Sequence, residues 1–248
     1  IVATGSLERP LIFDNNDRPG IMLSSAIKKY ADYYGVICGK ENIFFTNNDT
    51  AYESAVSLVK KGIKVQAIVD IREKSDSLII KESIDLGIKI YWSHTVVDTH
   101  GYKKLKKISV MELSKDGLST VGSKVNINCD CLGMSGGWTP AVHLFTQSGG
   151  KLKFRNTDQV FIPNIYPSEQ ISIGSSNGDF ELEEIIKNST KSIKDFLKID
   201  KTDFENLSII NSKEINKKNI WLLPSDKVFG KTKPFVDYQN DATAKDIK

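Results

Sequence analysis

Cysteine is scarce in this sequence: Cys38, Cys129 and Cys131 are the three in a chain of 248 residues. An odd number of thiols, in a chain long enough to bury its own core, excludes a disulfide-stapled scaffold and points to a reducing, cytoplasmic compartment. No C-x-x-C occurs, so a redox dithiol is absent. Cys129 and Cys131, one residue apart on an expected strand, point to the same side, but they lack the further Cys or His partners of a zinc or iron–sulfur site and read as buried, inert thiols. The three histidines are equally sparse. His94 and His100 fall in loop-like stretches without an acid–nucleophile pattern, and His143 sits at helical spacing among apolar residues, as a core or interface imidazole would. No Ser-His-Asp or paired-carboxylate pattern stands out, so no catalytic or metal-ligating residue is assigned.

No apolar run approaches the roughly 20 residues that cross a bilayer, and no basic-then-apolar leader stands at the front. Neither charge sign dominates: 34 basic against 31 acidic side chains leave +3. The lysines are scattered, which is the pattern of a solvated surface and not of a nucleic-acid footprint. The sequence opens within an apolar strand, IVATGS, and stops on KDIK, which predicts an excerpt of a longer polypeptide.

Also missing is a G-x-G-x-x-G where one is due. NIFFTNNDTAYESAVSLVKKGIKVQAIVDIRE, residues 42 to 73, has the strand–turn–helix–strand layout of a dinucleotide-binding unit, closed by the acidic Asp70. Its turn reads Thr46-Asn47-Asn48-Asp49-Thr50-Ala51. Asparagine tolerates positive φ, but these side chains fill the space of phosphate oxygens and Asp49 adds a negative charge beside them. A helix cap by Asp49 or Thr50 explains the turn without a ligand. Pyrophosphate binding in this turn is the alternative, and the ribose role of Asp70 stands or falls with it.

Further along, a helix over about 77–86 and a strand over 89–92 complete β-α-β-α-β, followed by alternating stretches at 95–98, 105–113 and 124–127 that predict an antiparallel meander. An apolar strand at 131–134 ends in Ser135-Gly136-Gly137, where Trp138 could wall a ligand cleft or pack a domain interface. Two strands end in small residues: VATGS at 1–6 and ISIGSSNGD at 171–179. Small residues at a strand's carboxyl edge admit a nucleotide, and Gly178-Asp179 before a helix would present free N–H groups to a phosphate. The predicted division is a first dinucleotide domain at 1–35, an inserted Rossmann-like domain at 36–137, a return to the first domain at 138–198, and a linker with the start of a C-terminal region at 199–248.

VATGSLERPLIFDNNDRPGIMLSSA, FTNNDTAYESA, CDCLGMSGGWTPAVHLFTQSGGKLKF and PFVDYQNDATAKDIK resemble the alpha subunits of heterotetrameric sarcosine oxidases, in order and over essentially the whole chain. The resemblance implies an α/β, glutathione-reductase-like two-dinucleotide-domain fold, incomplete here, with an inserted βαβαβ and antiparallel β-meander domain. It implies NAD held in this subunit beside Ala3, Thr4, Gly5, Gly174, Ser175, Asn177 and Gly178, and makes the missing glycines of the TNND turn a family trait. It further implies beta, gamma and delta partner subunits, FAD in the beta subunit, FMN near the alpha–beta boundary, oxygen as electron acceptor and tetrahydrofolate as acceptor of the one-carbon unit removed from sarcosine. Alternative readings are the alpha subunit of a related amino-acid or opine dehydrogenase, whose iron–sulfur cysteines this sequence lacks after Cys131, and a non-catalytic subunit-docking scaffold.

Overall fold

Runs of β-branched and aromatic residues bounded by glycine set out most of the elements. The computed structural model describes residues 1–167, 169–198, 217–225, 227 and 232–247. In chain order they contain β1 (Ser6–Glu8), β2 (Ile21–Leu23), α1 (Ser24–Tyr34), β3 (Asn42–Thr46), α2 (Thr50–Lys60), β4 (Val65–Asp70), α3 (Leu78–Asp85), β5 (Lys89–Trp92), β6 (His94–His100), β7 (Lys107–Leu113) and β8 (Thr120–Asn128). Then follow β9 (Cys131–Ser135), β10 (Trp138–Pro140), α4 (His143–Gln147), β11 (Lys151–Arg155), β12 (Val160–Ile165), a 3-10 turn (Gly174–Asn177), α5 (Leu182–Leu197), β13 (Phe235–Asp237), β14 (Ala242–Thr243) and α6 (Ala244–Ile247). The chain divides into two compact units: one of Ile1–Leu7 with the described part of Trp138–Ile215, the other of Glu8–Gly137 with the described part of Asn216–Lys248.

The larger unit is built on a five-stranded sheet in the order β2-β9-β3-β4-β5, parallel throughout. A parallel sheet covered on both faces favours strands that are apolar on both sides, and the middle of β3 is: Ile43, Phe44 and Phe45 are all fully buried. The pleat sends them to opposite sides. Phe44 packs with Ile27, Tyr52, Ala55, Leu58 and Ile80 beneath the helices, while Ile43 and Phe45 pack with Phe13, Val69, Val96, Ile108 and Val110 on the meander side. Burial of each such side chain stabilises by about 1.5–3 kcal/mol. The expected meander is present as the antiparallel order β6-β7-β8.

Three features of this unit depart from the sequence reading. The short strand β2, not among the sequence expectations, pairs with β9, and residues 8–35 fall in the larger unit where a first domain was expected. Cys129 and Cys131 do not share a side: Cys129 joins the meander-side cluster and Cys131 the helix-side cluster. The bend at Asp130 explains it, because its carboxylate accepts from the backbone N–H of Lys40 and Glu41 and turns the chain before β9 starts. Residues 199–216 lie outside the described residues, but Lys217 bridges Asn48 in antiparallel fashion, 221–223 pair with Ile12 in parallel, and Asn16 brackets Phe235 with hydrogen bonds to its N–H and carbonyl. Leu223, Phe235 and Ala244 from this end of the chain are buried.

In the smaller unit, β1 pairs with β10 and β11 with β12. The first residues lie beside the stretch before the 3-10 turn: Val2 bridges Ser172 in parallel, with Val2 N to Ile171 O at 2.7 Å and Ile173 N to Val2 O at 3.0 Å. His143 is exposed at the start of α4, which rules out the core position but not the interface position of the two expected; Phe145 is the buried residue of that helix.

Candidate nucleotide site

The two glycine-tipped segments are neighbours through the Val2–Ser172 bridge, so both turns leave one edge of the smaller unit. Gly5 has φ +76°, and no atom would meet a Cβ there within 4 Å. Ala3 and Thr4 are exposed; the Thr4 hydroxyl donates to Ala141 O at 2.6 Å, and Ala141 N donates to Gly5 O at 3.0 Å. Gly174 opens the 3-10 turn at φ +67°, Ser175 and Asn177 are half-buried within it, and Tyr166 donates to Asn177 Oδ1 at 3.4 Å.

Gly178 faces inward. Its φ is +90°, and a Cβ would stand 2.8 Å from Ile162 and 2.9 Å from Arg155, so its missing side chain admits the hairpin β11–β12 rather than a ligand. The free N–H groups expected at Gly178-Asp179 are engaged within the turn, donating to Ser175 O and Gly174 O. Helix α5 begins at Leu182 with Glu183 and Glu184 in its first turn, a poor receptor for phosphate. What this edge offers a nucleotide is a small-residue surface at 3–5 and 174–177.

The TNND turn of the larger unit is filled by the protein itself. Asn47 Nδ2 donates to Lys218 O at 3.0 Å and Ile220 O at 3.2 Å, and Lys218 N returns a bond to Asn47 O at 2.9 Å. Asn48 Nδ2 donates to the carbonyl and the hydroxyl of Ser135, both at 3.2 Å. The cap of α2 is Asn48, whose Oδ1 accepts from Thr50 N at 2.9 Å; neither Asp49 nor Thr50 takes that role, because Asp49 is drawn to Arg72 at 2.7 Å.

Asp70 is equally committed. It has no exposure and accepts from Arg72 N, Nε and Nη2 and from the Tyr52 hydroxyl at 2.7 Å. Burial pushes its carboxyl above the ordinary value, against the pull of the Arg72 donors. The same burial raises the Tyr52 hydroxyl, while Asp70 and Asp49 hold Arg72 cationic. A ribose cannot reach this carboxylate. Sequence reasoning missed Arg72, although the two-residue spacing of Asp70 and Arg72 at a strand end was a usable signal.

Other polar groups among the described residues offer no reactive centre. His100 Nε2 lies 2.7 Å from Ser109 Oγ, which donates to Asn126, but Ser109 is fully buried and burial lowers the imidazole below its usual value. No group of His, Cys, Asp and Glu among the described residues could hold a metal ion, and no described helix is long and apolar enough to cross a membrane. Burial pushes the Cys129 and Cys131 thiols up to about 12. Thiol titration of the folded protein at pH 8 should therefore label Cys38 alone, with Cys129 and Cys131 reacting only after denaturant is added.

No protein-family profile matches the chain. Solved structures with this fold include the thioredoxin reductase of T. acidophilum (TM-score 0.55, 16% identity, 79% of this chain and 62% of that one). FprA, a Mycobacterium tuberculosis oxidoreductase, gives TM-score 0.57 at 13% identity over 80% of this chain and 63% of its own, and L-proline dehydrogenase from P. horikoshii 0.50 at 18% over 81% and 35%. The parallel sheet and the meander thus share the two-dinucleotide-domain fold of these solved structures. Over its whole sequence the chain is similar to a segment of sarcosine oxidase subunit alpha. It is 32% identical over 256 residues to that of Corynebacterium sp. (strain P-1) and 27% over 264 residues to that of Rhizobium meliloti (strain 1021), spanning 26% and 24% of those relatives, about a quarter of their length.

Proposed function

We propose that this chain is the nucleotide-binding scaffold of a sarcosine-oxidase-type alpha subunit and holds NAD against Ala3, Thr4, Gly5, Gly174, Ser175 and Asn177, with Gly178 shaping the turn. The observation that carries this reading is the side-by-side placement of the two small-residue turns, in a chain whose relatives along its entire length are sarcosine oxidase alpha subunits. The reaction served is oxidative demethylation of sarcosine to glycine, with oxygen as electron acceptor and tetrahydrofolate as one-carbon acceptor. FAD and FMN supply the electron transfer in a complex with beta, gamma and delta subunits. This chain contributes no reacting group. Its part is to bind and orient the nucleotide.

Equilibrium dialysis of NAD against the native polypeptide carrying this chain tests the proposal. Gly5 is the clean position for substitution, since space surrounds it while a side chain must adopt a left-handed conformation costing about 1–2 kcal/mol. Gly5→Val should weaken NAD binding at least tenfold while the thermal midpoint moves by a few degrees. Unchanged affinity would exclude the 3–5 edge.

A further inference from the structure

Arg155 ends β11 and Asp158 lies in the turn leading to β12. The Arg155 guanidinium grips Asp158 through both oxygens, Nε to Oδ1 at 2.7 Å and Nη2 to Oδ2 at 2.5 Å, and Nη2 also donates to the Gly178 carbonyl at 2.6 Å. Asp158 is buried and Arg155 about one-third exposed, so the pair is partly shielded from water, and the carboxylate raises the guanidinium above its ordinary value. The 3-10 turn Gly174–Asn177 is thereby tied at two ends. Before it, Ile173 N bonds Val2 O; after it, the Gly178 carbonyl is held by Arg155.

The hairpin approaches this closely only because residue 178 lacks a Cβ, which would meet the two terminal nitrogens of Arg155 at 2.9 and 3.1 Å. Lysine cannot reproduce the arrangement, since one ammonium lacks the planar fork that serves carboxylate and carbonyl together.

We propose that Arg155, oriented by Asp158, is a positioning residue for the nucleotide: it sets the Gly174–Gly178 turn in the conformation that binds. This rests on the reading that NAD lies on that turn. Arg155 does not touch the nucleotide; it acts through the Gly178 peptide.

The test compares Arg155→Met, Arg155→Gly and Arg155→Lys in the native polypeptide by amide hydrogen exchange without nucleotide and by equilibrium dialysis with NAD. Loss of a hydrogen bond from a charged donor should speed exchange across 174–179 about tenfold, leave the β3 and β9 amides unchanged, and weaken NAD about tenfold. Arg155→Lys should not restore affinity. Guanidinium ion at sub-denaturing concentration should restore it to Arg155→Gly and not to Arg155→Met, whose side chain occupies the space; a general loss of stability would not show this rescue. Wild-type affinity in Arg155→Met, or weakened binding without faster exchange at 174–179, overturns the proposal. Should Arg155→Met fail to fold, Asp158→Asn is read by the same two measurements. The exchange result needs no nucleotide, so absence of NAD binding in the wild type would count against the proposed function and leave the clamp to be judged on exchange alone.

Discussion

Replacing Arg72 by methionine lowers the folding stability by about 3–5 kcal/mol, the cost of leaving a buried charge without its partner. Asp70 is wholly buried and Asp49 nearly so, and Arg72 is the cation that both carboxylates contact. Without it, Asp70 keeps the Tyr52 hydroxyl but no counter-charge. The deficit depends on pH in a defined sense. Burial already holds the Asp70 carboxyl above its ordinary value, and removal of Arg72 raises it further. A carboxyl whose folded pKa exceeds the unfolded value, about 3.9, is protonated in both states at lower pH and costs nothing there; stability is lost as pH rises through that value toward the folded pKa. Urea unfolding should therefore show a large deficit for Arg72→Met at pH 7 that narrows as pH falls toward about 4. A pH-independent deficit would show that lost packing, not stranded charge, sets the cost.

The second large effect comes from restoring the glycines that the TNND turn lacks. Asn47→Gly/Asn48→Gly brings the turn closer to a dinucleotide loop in sequence, yet NAD binding should not increase and stability should fall by about 2–4 kcal/mol. The Asn48 side chain caps α2 and satisfies Ser135, and that of Asn47 holds the carbonyls of Lys218 and Ile220. Loss of the cap costs about 0.5–2 kcal/mol and the orphaned buried groups about 1–3 kcal/mol more. The glycines do not remove the backbone of Lys218–Ile220 from the turn. Thermal unfolding followed with and without NAD checks both parts of this expectation.

The sequence made the parallel core legible because both-face burial leaves continuous apolar runs such as Ile43–Phe45 and Ala67–Val69, with Gly62 and Gly87 ending the helices between them. It placed the two glycine-tipped segments correctly as candidates for one edge. It hid what depends on long-range partners. A three-residue strand such as β2 has no periodicity of its own and exists because β9 lies beside it. The stretch 217–223 carries no pattern of strand or helix, and its role follows from the asparagines that receive it. Arg155 looks like one more basic surface residue until the hairpin folds it back onto Gly178.

The central claim assigns the nucleotide to the small-residue edge at 3–5 and 174–177 and denies it to the turn at 46–50. Amide hydrogen exchange of the native polypeptide, with and without saturating NAD, reads both places in one experiment. The account predicts slower exchange at 3–5 and 174–178 on addition of NAD, with 46–50 and 217–223 unchanged. Protection that appears at 46–50, with none at 3–5 and 174–178, would contradict it.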